Sequence, residues 1–181
     1  MEARGKRASR QRKDRARRDG RPDEETVMSL EDLIDPGAVV PALRASSKKQ
    51  LLQELASRAA ERQHLDARTV FEALTERERL GPTAMGRGVA IPHARLPGVR
   101  RISGLFARLD RPVAFDAADG QPVDLVFLLI APEDAGADHL RALARVSRLL
   151  RDDGRCAKLR ATSDPAALYA ILVEDLATNA A

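Results

Sequence analysis

The sequence predicts an α/β protein, a three-layer α/β/α sandwich forming a single domain. Three observations predict it. The run Val123-Asp-Leu-Val-Phe-Leu-Leu-Ile130 is apolar almost throughout, the pattern of a strand covered on both faces. Amphipathic helical segments both precede and follow the strand candidates, so each face of a sheet has helices to cover it. The apolar share is 44% while aromatics are 3% and Trp is absent, so the core is built from Leu, Val, Ile and Ala.

Taken in order, Leu30, Leu33 and Ile34 suggest a short turn of helix, and Val39-Val40 through Leu43 a first strand. Ser46 or Ser47 is placed to cap a helix running to about Arg62, with Leu51, Leu52, Leu55 and Ala59 as its buried stripe. Asp66 caps a second helix through Val70, Phe71 and Leu74 to about Arg79, stopped by Gly81-Pro82. A glycine-rich stretch (Gly81, Gly86, Gly88) leads into Val89-Ala90-Ile91, which is expected to anchor in the core. Three strand candidates follow, at Ile102–Leu109, Val113–Phe115 and Val123–Ile130. A helix from about Ala137 to Asp152 is expected to face inward through Leu140, Leu143, Val146, Leu149 and Leu150. Cys156-Ala-Lys-Leu reads as helical, and Asp164-Pro165 starts a final helix through Leu168, Ile171, Leu172 and Leu176.

Charge and composition exclude several classes. Residues 1–26 hold ten of the 31 Lys and Arg and six of the 27 Asp and Glu, which leaves 21 of each sign elsewhere. The basic character therefore belongs to the first residues, and the rest is no electrostatic footprint for nucleic acid. That stretch has almost no large apolar side chain and is expected to be a disordered basic tail. A polybasic arm and a solvated extension are both open for it. No apolar run approaches the roughly 18–20 residues of a membrane span, and no apolar segment follows the basic start as in a secretory signal. A cytoplasmic protein without membrane insertion is the expectation. Cys156 is the only cysteine, which excludes a disulfide framework, and the three histidines are dispersed, which argues against metal.

The candidate chemistry gathers around His93. Gly86 and Gly88 permit tight turns whose N–H groups can approach an anion. Pro92 stiffens the chain and keeps Ile91 extended, so the imidazole is expected at the end of a rigid, buried strand. A neutral histidine nitrogen is a competent phosphoryl acceptor near neutral pH. Arg77 offers a guanidinium for a phosphate, and His139, early in a late helix, a further hydrogen bond. On the residues alone a structural and a catalytic His93 both stand open, as do helix-start and catalytic readings of His139. His64 reads as an exposed linker residue.

The run Phe71-Glu-Ala-Leu-Thr-Glu-Arg77-Glu-Arg-Leu-Gly81-Pro-Thr-Ala-Met-Gly86-Arg-Gly88-Val-Ala-Ile-Pro92-His93 resembles the signature of enzyme IIA domains of the fructose/mannitol class, within the phosphoenolpyruvate-dependent phosphotransferase system. The nitrogen-regulatory branch is the nearest look-alike. Ser46-Ser-Lys-Lys49, Pro112-Val-Ala-Phe115-Asp116, Gln121-Pro-Val-Asp124 and His139-Leu140 carry the likeness further. It covers about residues 28–176, leaving 1–27 as the N-terminal tail and 177–181 as a C-terminal tail. Ala94 stands where glycine often follows the histidine, and Pro82 where serine is common before Thr83.

The resemblance implies a mixed sheet, phosphorylation on His93, and Arg77 and His139 as its companions. It implies no cofactor and no metal. The implied partners are an HPr-like phosphocarrier of the nitrogen branch as donor, with sensor kinases or ion transporters as regulated targets. The alternative it implies is a stand-alone IIA subunit of a sugar permease, passing phosphate to an enzyme IIB. In either role the chain is a phosphohistidine carrier rather than a multiple-turnover enzyme acting on a small molecule.

Overall fold

The computed structural model of the chain describes residues 28–174. The tails expected over 1–27 and 177–181, and Leu176, lie outside the described residues. Within them the order is α1 (Leu30–Leu33), a 3-10 turn (Pro36–Ala38), β1 (Val39–Leu43), α2 (Lys48–Gln63), α3 (Ala67–Arg79), β2 (Ala84–Gly86), β3 (Val89–Ala90), β4 (His93–Leu96), β5 (Ser103–Val113), β6 (Val123–Pro132), α4 (Gly136–Leu150), α5 (Asp153–Ala161) and α6 (Pro165–Val173).

Local chemistry starts most helices. Ser47, Asp66, Asp152 and Asp164 each accept a backbone N–H from the first turn, at 3.1, 2.8, 3.0 and 2.9 Å. Of the two serine candidates Ser47 is the cap, while Ser46 binds the Gln50 side chain.

The sheet is mixed and six-stranded, in the order β1-β5-β6-β3-β2, with β4 also paired to β6. β6 is its spine: antiparallel to β5 and parallel to both β3 and β4. Alternation along β6 splits the core into two layers. Val126, Leu128 and Ile130 pack with α2 and α3. Leu125, Phe127, Leu129 and Ala131 pack with α1, α4, α5 and α6. The expected strand covered on both faces is thus present. No helix among the described residues is long and apolar enough to cross a membrane.

Two expectations are corrected. The strands expected at Ile102–Leu109 and Val113–Phe115 are one, β5, with Phe115 buried just beyond it. Asp110-Arg-Pro112 reads as a break, but the ladder to β6 shifts register between Arg108 and Val113, and Pro112 falls in that irregularity. A proline is tolerated there because a bulge needs no ladder N–H from it. Pro41 is accommodated similarly, in edge strand β1, where register also shifts. In α4, Leu140 is not inward: it is 67% exposed, and His139 at 8% takes the buried position. His139 lies seven residues before Val146, almost two full turns, so it shares that residue's face whereas Leu140 does not.

Among the glycines of the described residues, Gly104 on β5 leaves the least room for a side chain. A Cβ there would sit 2.5 Å from Cε1 of the Phe127 ring and 3.3 Å from the Leu33 carbonyl oxygen. Gly104→Ala is expected to cost roughly 1–3 kcal/mol, as overpacking does. Urea denaturation checks this, and a midpoint equal to that of the parent protein would show that the ring moves aside freely.

Candidate functional site

Three separate pieces of chain meet at His93. Val89, Ala90 and Ile91 are all buried, which anchors the approach to it. β3 ends at Ala90, and β4 begins at His93 in register with Leu129 of β6. His93 therefore opens a strand rather than ending one. Pro92 between the two lacks an N–H and falls where the ladder is interrupted. The Pro92 carbonyl still accepts the Leu129 N–H at 3.0 Å.

The ring is held from both sides. Its Nδ1 lies 2.8 Å from the Ile91 carbonyl oxygen, and its Nε2 lies 3.1 Å from Nε of Arg77. A carbonyl can only accept and a guanidinium N–H can only donate, so Nδ1 carries the proton and Nε2 the lone pair. Arg77, in the last turn of α3, is itself fixed by an N–H from Nη1 to the Gly81 carbonyl at 2.9 Å. Burial holds His93 below its ordinary value of 6.5. The Ile91 hydrogen bond opposes this, the Arg77 charge adds to it, and the Glu78 carboxylate works the other way.

His139 arrives in the second turn of α4. Its ring centroid is 5.5 Å from that of His93, with the planes tilted by 51°. Burial first, then the charges of His93 and Arg95, hold it below 6.5 as well. Its Nδ1 is buried and has no hydrogen-bond partner among the described residues, an unusual state for a buried polar atom. The structure thus brings His93, Arg77 and His139 together. His64 is apart and exposed, the left-handed residue ending α2 (φ 56°).

The glycine loop does not cradle an anion at this site. Gly86, Arg87 and Gly88 all have positive φ and form the turn between β2 and β3. The Arg87 N–H is given to Asp119 at 2.8 Å. Arg160 bridges Asp124 and the Arg87 carbonyl, each at 2.8 Å, and fills the space beside Gly88. The turn anchors the approach to Pro92 instead.

Sequence reasoning gave no role to the group directly behind Arg77. The Glu78 carboxylate accepts the Thr83 N–H at 3.2 Å and its hydroxyl, and it pairs with Nζ of Lys48 at 2.8 Å. Lys48 also reaches Asp116 at 3.1 Å and lies 4.6 Å from the centre of the Phe115 ring. The available signal was a carboxylate beside the candidate arginine at a helix end, with a threonine in the following turn. Among the described residues no group of three or more His, Cys, Asp or Glu is placed to hold a metal ion.

Fold and site together define a class: a small α/β/α protein presenting one neutral imidazole beside an arginine and a second histidine. Comparison with known proteins gives the family. Residues 32–175 match the model described as "Phosphoenolpyruvate-dependent sugar phosphotransferase system, EIIA 2", and the chain belongs to that family. It is 60% identical over 153 residues to a nitrogen regulatory protein of Bradyrhizobium diazoefficiens, covering 84% of this chain and all of that one. Its fold is similar to the nitrogen regulatory protein IIA-Ntr of Neisseria meningitidis (TM-score 0.75, 36% identity, covering 79% of this chain and 98% of that one). The mannitol IIA of Escherichia coli shares the fold at 18% identity, with a TM-score of 0.66 over 77% of this chain and 98% of that one.

The lowered pKa has a signed consequence. Unfolded, His93 takes a proton as pH falls through about 6.5, while the folded protein resists until a lower pH. Its contribution to stability is therefore complete above that value and is lost below it. Arg77→Gln removes one of the lowering influences, so the His93 midpoint followed by proton NMR should rise. An unmoved midpoint would show that the guanidinium charge does not act on the ring.

Proposed function

We propose that this protein is a regulatory phosphocarrier of a phosphotransferase system, which receives a phosphoryl group on Nε2 of His93. The observation that carries this reading is the pair of contacts on the ring. Ile91 holds the proton on Nδ1 while Arg77 faces a lone pair on Nε2. The lone pair attacks phosphorus as the N–P bond of the donor's phosphohistidine breaks, and that bonding pair returns to the donor's ring. No proton has to leave His93, because the attacking nitrogen carries none.

Arg77 then changes role. One lone pair cannot accept its N–H and also bond phosphorus, so the guanidinium transfers its hydrogen bonds to phosphoryl oxygens, where bidentate contact is strong. The Gly81 anchor keeps it within reach. The His139 ring, 5.5 Å from that of His93, is close enough to offer a further hydrogen bond to the same oxygens. Such transfer depends on alignment and charge stabilisation more than on covalent help from the protein.

The donor in this reading is an HPr-like phosphocarrier of the nitrogen branch. The regulated partners are sensor kinases or ion transporters that distinguish the two forms of His93. The regulatory reading is favoured over a permease subunit because the nitrogen regulatory relative matches along its whole length at high identity.

Incubated with phosphoenolpyruvate, enzyme I and an HPr-type protein, the chain should gain one acid-labile phosphoryl group detected by mass spectrometry. His93→Ala should gain none, and an unchanged mass gain in that variant would sink the assignment. Arg77→Ala should slow transfer by roughly a hundredfold, the scale on which loss of a charge-stabilising donor is felt, without unfolding the protein.

A further inference from the structure

The site's geometry is tied to the turn that follows α3. Residues Gly81–Thr83 leave α3 directly behind Arg77, and both halves of the site are tied to this turn. The Gly81 carbonyl holds Nη1 of Arg77 at 2.9 Å. The Thr83 carbonyl accepts the Ile91 N–H at 3.0 Å. The Ile91 carbonyl then takes the proton of His93 at 2.8 Å. What holds the turn is Glu78, which accepts the Thr83 N–H at 3.2 and 3.3 Å with its two oxygens, as well as the Thr83 hydroxyl. Thr83 is buried, and the Glu78 side chain is only 6% exposed.

That arrangement carries an electrostatic problem. Glu78 is a shielded carboxylate whose charge is felt at the His93 ring. A phosphoryl group brings about two negative charges to Nε2, and like charges in a poorly solvated place repel strongly. A neutral side chain would avoid the repulsion but would hold the turn with weaker hydrogen bonds. Lys48 resolves the conflict. Its ammonium sits 2.8 Å from Glu78 and 3.1 Å from Asp116 and packs over the Phe115 ring. Burial alone would lower its pKa, but the two carboxylates outweigh that and hold it above 10.5, so its charge is permanent at cellular pH.

We propose that Lys48 and Glu78 form a charge-balanced clamp behind the phosphoryl acceptor. Glu78 fixes the turn that aims Arg77 and the His93 ring, and Lys48 offsets part of the carboxylate charge that would oppose phosphorylation. Both are positioning residues: Lys48 reaches His93 only through Glu78. The clamp rests on the phosphocarrier reading for its purpose, but its electrostatic half acts on His93 whether or not phosphate arrives.

The other charged or titratable groups around the imidazole are Arg77 on α3, His139 on α4 and Arg95 on β4, which acts on His139. None of them changes in the following variants. Lys48→Met uncovers the Glu78 charge, so the His93 midpoint measured by proton NMR should rise. Glu78→Gln removes that charge while keeping an oxygen for Thr83, so the midpoint should fall. A merely structural role would lower thermal stability in both variants and would not move the ring in opposite directions. Lys48→Arg keeps the charge and should leave the midpoint near that of the parent.

In phosphotransfer from an HPr-type donor, Lys48→Met should slow phosphoryl gain roughly tenfold, the equivalent of one pKa unit of interaction. The double variant Lys48→Met/Glu78→Gln should recover most of it. Midpoints in Lys48→Met and Glu78→Gln that equal the parent's, with parent protein that is phosphorylated normally, would overturn the clamp. A parent protein that takes no phosphate at all would instead overturn the phosphocarrier reading, and the NMR midpoints would still decide the clamp.

Discussion

The central constraint in this protein is that one imidazole must show a lone pair on a chosen side. A free histidine exchanges its proton between two nitrogens, so neither side is reliably nucleophilic. Here a main-chain carbonyl takes one nitrogen and an arginine N–H faces the other. The carbonyl belongs to Ile91, two residues earlier, in the interruption between β3 and β4 that also holds Pro92. The rest of the fold supplies rigid attachment for these groups. β6 holds β3 and β4 in one line on its flank, α3 ends where Arg77 can reach the ring, and α4 starts with His139 facing inward.

Burial and charge act together on the same ring. Desolvation lowers the proton affinity of His93 and of His139, which keeps both neutral when an anion arrives. An exposed histidine would spend part of its time as a cation, unable to attack. The cationic help comes instead from Arg77, whose charge does not depend on pH in the cellular range. Dividing the labour between a neutral nucleophile and a permanent cation avoids asking one side chain for both properties. The glycine turn at 86–88 contributes at a distance. Its left-handed residues let β2 fold back on β3, and Arg160 and Asp119 fasten it so that the approach to Pro92 is anchored at its start.

Much of this was legible in the sequence. Serine and aspartate caps marked helix starts because a side-chain oxygen there satisfies orphan N–H groups. The nearly continuous apolar run at 123–130 marked the central strand because a strand covered on both faces is apolar along most of its length. His93, Arg77 and His139 were singled out as candidates from residue chemistry and then from the family resemblance; composition and spacing alone left His93 undecided. The failures have physical causes. Pro112 looked like a strand end because proline cannot join a regular ladder, and only the register shift with β6 accommodates it. Leu140 looked buried because it is apolar, whereas the phase of α4 is set by Ala142, Val146 and Leu149, and a polar residue takes the inward place. Lys48, Glu78 and Asp116 are far apart in the chain, and sequence reasoning gave them no role at the site. Nothing local to any one of them reports that they meet behind the site.

The most direct test of the central claim is which nitrogen bears the phosphoryl group. Protein labelled with 15N in its histidines and phosphorylated by an HPr-type donor should show phosphorus coupled to Nε2 of His93. Coupling to Nδ1 of His93, or to either nitrogen of His139, would contradict the assignment of proton and lone pair on which the site is built.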